Sequence, residues 1–342
     1  HLVARTYDPA GPFAPYPYTG TGSGLTPAGS HWSAPLRLSL LNGTVPASAA
    51  NLTLSEMMYH PGPLTPAEMA AGYTDRSEFE YLVLQNISAQ PVDLSGIHFS
   101  AGIEFTMPLG PLCVLAPGAR GILVRNQAAF AMRSAPGLNV LGEYRDKLSN
   151  AGEQLTLLAA NESVIFSVTW DDGEDWPAGA DGAGYSMVHL PGEAFSSPAG
   201  WRRSLDINGE SSQGTPLSFS AWQAVYFPGG GPDAAALADP DRDGMSNAAE
   251  YAAATNPLSS FESGQPTATP VTVGGVPGVK IEVLRRPGTS PWTLESSTDL
   301  ETWGAVPVAP VIHIRADGRE VLSWTLPHAG ERNSYRARAS VQ

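Results

Sequence analysis

Glycine and proline recur along the whole chain and divide it into short segments. The sequence has 36 glycines and 31 prolines in 342 residues, and only 15% of its residues are charged. Between these turn residues lie short apolar runs rich in β-branched and aromatic side chains, a pattern typical of strands rather than long helices. We therefore expect an all-β protein and, at this length, two or three domains.

The charge balance argues against two classes of partner. The formal net charge is −14 at pH 7, and the only lysines are Lys147 and Lys280. Phosphate backbones and anionic lipids attract basic faces, so we expect neither nucleic acid nor a membrane surface as a partner. No apolar run approaches the roughly 18 residues of a spanning helix, so no membrane insertion is predicted. Cys113 is the single cysteine, which predicts no intrachain disulfide.

Residues 1–50 predict only two strands, at 2–7 and 32–41, separated by a segment rich in Pro, Gly and Ser. Two strands cannot bury a core on their own. We interpret this region as the end of a preceding β module. The chain starts at His1 without a signal sequence, which suggests a start within a longer protein or after processing.

Residues 51–205 predict strands at close intervals, separated by turn signals such as APG at 116–118. This spacing favours a β-sandwich. One short helix is predicted at 127–133, where Ala, Phe and Met replace β-branched residues. The predicted strands of this domain are 79–84, 97–99, 113–115, 121–124, 154–158 and 163–168.

Several blocks of this domain occur in a recognisable order. They are LSEMMYHP at 54–61, EYLVLQN at 80–86, VDLSG at 92–96, LAPG at 115–118, LSNAGEQL at 148–155, WP at 176–177 and ADG at 180–182. Together they resemble a bacterial lamin-tail domain. The resemblance implies an immunoglobulin-like β-sandwich that serves as a binding or scaffolding module of secreted proteins. The sequence departs from the family at Val83, where the family usually has a second acidic residue.

Residues 263–342 return to strands, predicted at 279–284 and 292–297, and we expect a second small β-sandwich there. The segment LESSTDLETW at 294–303 and the ending YRARA at 335–339 resemble the small β-rich module that closes many large bacterial exported proteins. This resemblance implies that the natural C-terminus lies in this module.

Residues 206–262 are interpreted as a linker that contains one distinctive sequence motif, DPDRDGMSNAAE at 239–250. Calcium prefers about six to eight oxygen ligands, which alternating carboxylates on a tight 12-residue loop supply, with glycine at position 6 to permit the turn. The sequence therefore predicts one Ca²⁺ site. Its expected ligands are the side chains of Asp239, Asp241, Asp243, Asn247 and Glu250 and the backbone carbonyl of Met245.

A helix is predicted directly after the loop, at 248–254, capped by Ser246 or Asn247 and ending before Pro257. No entering helix is predicted, because the apolar segment 234–238 is short. The site is therefore similar to a lone half of an EF-hand, as in the loops of dockerins and thrombospondin type 3 repeats. The competing interpretation is an acidic surface turn that binds nothing.

Three weaker patterns leave alternatives open. The acidic stretch 171–175 could hold a second cation, but it lacks the loop spacing, so we favour a turn-rich connection. The seven histidines form no HxH or HExxH motif, and no Gly-x-Ser-x-Gly segment occurs. A zinc or hydrolase site would therefore have to be assembled entirely by the fold. Trp292, Trp303 and Trp324 could stack on a sugar if they lie exposed in one row, or they could belong to a core.

The sequence predicts a non-catalytic structural or adhesive region of a secreted or cell-surface bacterial protein, in which calcium stiffens the linker between two modules. Its expected partners are the calcium ion and a cell-surface protein or polysaccharide. One alternative is the accessory region of an exported enzyme whose catalytic domain lies upstream. The other is a carbohydrate-binding module.

Overall fold

The structure of the chain is a computed structural model. It describes residues 2–4, 36–38, 43–109, 113–211, 217–262, 264–287, 292–315, 317–327 and 333–339. Strands in several sheets dominate these residues, and the predicted all-β class is confirmed. None of the helices within the described ranges is long and apolar enough to cross a membrane.

Two short strands lie near the N-terminus, β1 (Leu2–Ala4) and β2 (Leu36–Leu38). They pair antiparallel, with Val3 opposite Arg37. Both fall inside the strands predicted at 2–7 and 32–41, and the remainder of those predictions lies outside the described residues.

The middle unit, residues 43–211, contains most of the strands and two short helices. Short 3-10 turns at Arg76–Phe79, Ala178–Ala180 and Pro198–Gly200 connect some of these elements. The strands are β3 (Val45–Pro46), β4 (Leu52–Met58), β5 (Tyr81–Asn86), β6 (Val92–Asp93), β7 (His98–Ala101), β8 (Val114–Leu115), β9 (Arg120–Val124), β10 (Val140–Glu143), β11 (Gln154–Leu158), β12 (Val164–Thr169), β13 (Met187–His189) and β14 (Trp201–Arg203), and the helices are α1 (Pro66–Ala70) and α2 (Gln127–Arg133).

Three sheets share the core of the middle unit. Their strand orders are β10-β9-β5-β4-β13-β14, β12-β11-β7 and β3-β6-β8. Apolar side chains from all three sheets form one buried cluster, as expected for a layered β protein. The cluster includes Ala47, so the core begins slightly before the predicted boundary at residue 51.

Strand β5 is buried on both faces because α2 covers its outer side. Successive side chains of a strand point to opposite faces, so Leu82 and Leu84 enter the sandwich core while Tyr81 and Val83 pack beneath the helix. The Phe130 ring of α2 lies 5.4 Å from the Tyr81 ring. The helix predicted at 127–133 is observed with those bounds.

The described residues of the junction segment, 206–211 and 217–262, are packed rather than extended. It contains α3 (Phe219–Tyr226), a 3-10 turn at Pro232–Ala234 and α4 (Asn247–Ala253). Helix α3 is absent from the sequence predictions. Its Phe219, Trp222 and Tyr226 form a buried aromatic cluster against Tyr251 of α4.

The C-terminal unit, residues 264–339, is built from two sheets. Their strand orders are β15-β16-β20-β19 and β18-β17-β21, and apolar side chains of both fill one core. The predicted strand 279–284 lies within the observed strand Val276–Arg285, and the predicted strand 292–297 is observed as Thr293–Ser297. The strands are β15 (Thr267–Val273), β16 (Val276–Arg285), β17 (Thr293–Ser297), β18 (Gly304–Ala305), β19 (Val311–Ile314), β20 (Glu320–Pro327) and β21 (Ser334–Arg338).

The tryptophans of the C-terminal unit do not form an exposed row. Trp292 and Trp324 are buried in its core. Trp303 is partly exposed, and the Arg336 guanidinium covers its ring, with the guanidinium carbon 4.3 Å from the ring centroid. These positions do not favour the carbohydrate-binding alternative, which requires flat aromatic surface open to a sugar.

Candidate metal site

The predicted calcium loop brings three aspartates together. Carboxylate oxygens of Asp239, Asp241 and Asp243, one from each, all lie within 4.8 Å of one another. In the part of the chain that the structure describes, no other group of three or more acidic, His or Cys side chains is arranged in this way. The aspartates that alternate along the sequence thus form one cluster of oxygen atoms.

Backbone amides of the loop hold these carboxylates in place. The amide of Asp243 donates to Asp241 Oδ1 at 3.2 Å, that of Gly244 to Asp239 Oδ2 at 3.1 Å, and that of Met245 to Asp243 Oδ1 at 2.7 Å. The second oxygens of Asp241 and Asp243, the Oδ2 atoms, are buried and have no hydrogen-bond partner. Each of these two carboxylates therefore keeps one oxygen available for a cation.

Gly244 occupies a position in the loop that requires a glycine. Its φ of +91° lies in the region that side chains with a Cβ rarely adopt. A Cβ here would also approach Gln265 Nε2 to 2.6 Å. The Gln265 side-chain amide donates to the carbonyl of Asp243 at 2.6 Å, so the C-terminal unit supports the loop through a residue that loop spacing does not reveal.

Glu250 lies in the first turn of α4 with its side chain fully buried. Its Oε2 has no hydrogen-bond partner, and its Oε1 has only a distant Thr255 hydroxyl at 3.5 Å. Burial, together with the charges of Asp241, Asp243 and Asp239, raises the pKa of this carboxyl to about 8. A buried acid that three neighbouring carboxylates destabilise is a site where a cation is strongly favoured.

Asn247 is also fully buried, and its amide serves two purposes. The side-chain Nδ2 donates to the carbonyls of Asp233 and Ala235, at 2.7 and 2.8 Å, which anchors the segment entering the loop. The Oδ1 atom is buried with no partner. The predicted ligand oxygen of Asn247 is therefore unused by the protein.

Met245 contributes more than the predicted backbone carbonyl. Its side chain is buried in the core of the C-terminal unit, together with Ala252 and Ala253 of α4. The predicted helix 248–254 is observed as α4, with Ser246 at its N-cap and Ala254 in a left-handed conformation at its C-cap. The Ser246 side chain makes no capping hydrogen bond, so the predicted cap is positional only.

The acidic stretch 171–175 does not form a comparable cluster. Asp171, Asp172, Glu174 and Asp175 are exposed, and within the described ranges they join no group of metal-holding geometry. Asp171 Oδ1 accepts from the amide of Gly173 at 2.7 Å, as in an ordinary Asx turn. The turn interpretation of this stretch is the one that its geometry favours.

One histidine is assembled into a polar cluster by residues distant in sequence. His60 Nδ1 lies 2.5 Å from Asp181 Oδ1, and the Arg76 guanidinium contacts His60 Nε2. Because both ring nitrogens have partners, neither is available as a base toward a substrate. The sequence blocks 54–61 and 180–182 contain His60 and Asp181. The contact of Arg76 with His60 arises only from the fold.

Glu80 is a second buried carboxyl, and it predicts a pH effect on the middle unit. Burial raises its pKa to about 8, although the amide of Leu148 donates to its Oε2 at 2.8 Å. The folded state therefore holds a proton that the unfolded state releases above its ordinary pKa of 4.5. The stability that this proton contributes is complete below pH 4.5 and is lost as the pH rises toward 8.

The Glu80→Gln variant tests this effect because it fixes the neutral form. We expect its free energy of unfolding to rise relative to wild type between pH 5.5 and pH 8.5, measured by denaturant titration in calcium-free buffer. Glu104→Gln, at an exposed site of the same unit, is the control. A difference in the free energy of unfolding between wild type and variant that stays constant with pH would contradict the prediction.

Comparison of the chain with protein-family models, with curated proteins and with solved structures finds no match. The assignment of the metal site therefore depends on the geometry of its own residues.

Proposed function

We propose that the loop 239–250 binds one calcium ion and that the ion fixes the junction segment between the middle and C-terminal units. The ligands are the side chains of Asp239, Asp241, Asp243, Asn247 and Glu250 and the carbonyl of Met245. The observation that carries the proposal is Glu250, a carboxylate with no solvent exposure, an unpartnered oxygen and three acidic neighbours.

The donor set favours calcium over the common transition metals. Every proposed ligand atom is an oxygen, and the loop contains neither histidine nor cysteine. Zinc and copper sites in proteins are built mainly on nitrogen and sulfur ligands. Magnesium retains several waters and demands near-octahedral geometry, whereas a ring of carboxylates on a flexible loop suits calcium.

Ion binding would relieve a specific electrostatic cost. Without a cation, three aspartate carboxylates lie within 4.8 Å of one another and their charges act on the buried Glu250, and the raised pKa values of Asp241 and Glu250 reflect burial and this repulsion. A divalent cation replaces this repulsion with attraction to each group. The ion-bound loop and α4 are therefore more stable than the ion-free ones.

Helix α4 contacts both the C-terminal unit and the rest of the junction segment, so the stability of the loop affects how these parts are held together. Met245, Ala252 and Ala253 enter the core of the C-terminal unit, whereas Tyr251 packs on the aromatic cluster of α3. The Tyr251 hydroxyl also donates to the carbonyl of Leu217 at 2.6 Å. Holding α4 thus holds the junction segment and the C-terminal unit together.

This role suits a structural or adhesive region of a secreted or cell-surface bacterial protein, with the middle unit as a lamin-tail-like, immunoglobulin-like sandwich. Single extracellular calcium sites commonly bind with dissociation constants of about 10⁻⁴ to 10⁻³ M. Extracellular calcium is high enough to occupy such a site. The region performs no catalysis of its own and presents the middle unit to a surface protein or polysaccharide.

Limited proteolysis of the full chain tests the mechanical role. Calcium is expected to slow cleavage within residues 206–262 at least several-fold, because a ligand at a hundredfold excess over its Kd stabilises the bound state by about 2.7 kcal/mol. The matched control is the Asp241→Asn, Asp243→Asn variant, for which calcium should have no effect. Equal cleavage of wild type with calcium and with chelator would contradict the proposal.

A further inference from the structure

Arg286 is a buried cation that lies at the meeting point of three parts of the chain. It directly follows β16 of the C-terminal unit, and only 2% of its surface is exposed. A buried guanidinium is costly unless charged and polar partners surround it. Its partners come from α4 and from the end of the middle unit.

The first set of partners is the C-terminal end of α4. The backbone amide of Arg286 donates to the carbonyl of Ala252 at 2.7 Å, and its Nε donates to the carbonyl of Tyr251 at 2.9 Å. The guanidinium carbon also lies 5.0 Å from the centre of the Tyr251 ring. The last carbonyls of a helix lack partners within the helix and attract a cation, so Arg286 completes this end of α4.

The second partner is Asp206, at the end of the middle unit. Arg286 Nη1 donates to Asp206 Oδ2, and only 4% of the surface of Asp206 is exposed. The carbonyl of Asp206 accepts from the Ser204 hydroxyl at 2.7 Å and from the amide of Gly209 at 3.2 Å. These bonds tie the aspartate to the loop that follows β14.

The loop after β14 is in turn attached to the sheet of the middle unit. The amides of Glu210 and Ser211 donate to the carboxylate of Glu56 in β4, at 2.9 and 2.8 Å. Hydrogen bonds and the short segment 206–211 therefore together join the middle sheet, Asp206, Arg286 and the end of α4. Glu250 is the fourth of the seven residues of this short helix and directly precedes Tyr251.

We propose that Arg286 is the positioning residue that couples calcium in the loop 239–250 to the middle unit through Asp206. This inference rests on the proposed calcium function. The ion holds Glu250 and so fixes the first turn of α4. With that turn fixed, the carbonyls of Tyr251 and Ala252 stay in place for Arg286, and the guanidinium stays directed at Asp206.

Coupling of this kind is reciprocal. If calcium strengthens the contact between Arg286 and Asp206, then loss of that contact weakens calcium binding by the same factor. Asp206 is not a ligand and belongs to the other end of the junction. A change at Asp206 therefore affects calcium affinity only through α4 and Arg286.

The test compares the full chain with its Asp206→Asn variant by calcium calorimetry and hydrogen exchange. We expect about tenfold weaker calcium binding in the variant. In wild type, calcium should slow exchange of the Glu210 and Ser211 amides, and in the variant this slowing should be lost. A merely structural contribution of Asp206 would change the exchange rate equally with and without calcium.

The neighbouring pair Arg285 and Glu320 supplies the matched control, because it lies within the C-terminal unit alone. Glu320→Gln should leave calcium affinity unchanged. If Asp206→Asn does not fold, as judged by circular dichroism, Arg286→Lys takes its place, since lysine keeps the charge but cannot contact Tyr251 and Asp206 together.

The outcomes separate the two proposals. Wild type that takes up no calcium overturns the proposed function and the coupling with it. Wild type that binds calcium, while the variant binds equally tightly and retains the calcium-dependent slowing, overturns the coupling alone. Weaker binding together with loss of the slowing supports it.

Discussion

The Glu250→Gln variant is expected to lose its response to calcium and yet to be more stable than wild type in chelator. Glutamine removes the charge that burial and three aspartates disfavour, so the ion-free fold gains stability. It also removes the carboxylate that we propose closes the calcium coordination sphere with two oxygens. We expect calcium affinity to fall on the order of 100-fold, or about 2.8 kcal/mol, measured by calorimetry and thermal unfolding.

The opposite signs of these two changes make the test specific. A glutamate that only stabilises α4 would lower stability in chelator when it is replaced. Glu301→Gln removes the same charge from an exposed turn of the C-terminal unit and should leave both quantities unchanged. A Glu250→Gln protein that keeps wild-type calcium affinity would rule out Glu250 as a ligand.

Replacement of Glu56 by alanine is expected to destabilise the middle unit more than any surface change. The carboxylate is buried and accepts four hydrogen bonds: from the hydroxyls of Tyr81 and Ser186 at 2.8 and 2.6 Å, and from the amides of Glu210 and Ser211. Without it, the Ser186 hydroxyl and the amides of Glu210 and Ser211 lose this acceptor, while the Tyr81 hydroxyl keeps the carbonyl of Asn208 at 2.9 Å. We expect a cost of about 4 kcal/mol and a fall of about 10 °C in the melting temperature of this unit.

A matched pair of variants separates the buried carboxylate from charge alone. Glu104→Ala removes an exposed glutamate of the same unit and should have no measurable effect on the melting temperature. Gly209→Ala should reproduce part of the loss, because its Cβ would overlap the Tyr81 hydroxyl and Glu56 Oε1 and Gly209 has a φ of +91°. A Glu56→Ala melting temperature within 2–3 °C of wild type, a shift of only about 1 kcal/mol, would contradict this account.

Local patterns in the sequence predict the parts of the structure that local physics determines. Strand β11 and helix α2 have the predicted bounds, because alternating Leu residues and an Ala-rich run reveal their periods directly. Likewise, the spacing of the aspartates and Gly244 is sufficient to predict one turn with converging oxygens. The helix after the loop is also found, with a shift of one residue.

One helix that the sequence analysis does not predict nevertheless has a local sequence signature. Helix α3 has Ser218 at its N-cap and aromatic residues at Phe219, Trp222 and Tyr226, a spacing that places them on one helical face. The interpretation of 206–262 as a linker does not include this helix. The segment packs because these three rings bury one another against Tyr251.

Other features depend on residues far apart in the chain. Nothing near Arg286 in the sequence indicates a partner at Asp206, and nothing near Gln265 indicates the carbonyl of Asp243. The burial of Trp292 and Trp324 likewise follows from the pairing of sheets rather than from local pattern. Such contacts arise only when the fold brings separate elements together.

The most direct test of the calcium site is a calorimetric titration of the full chain with calcium at constant ionic strength. We expect saturable heat at about one ion per chain, absent from the Asp241→Asn, Asp243→Asn variant and not reproduced by magnesium at the same concentration. No heat from wild type at millimolar calcium, or equal heat from the variant, would contradict a calcium site in the loop 239–250.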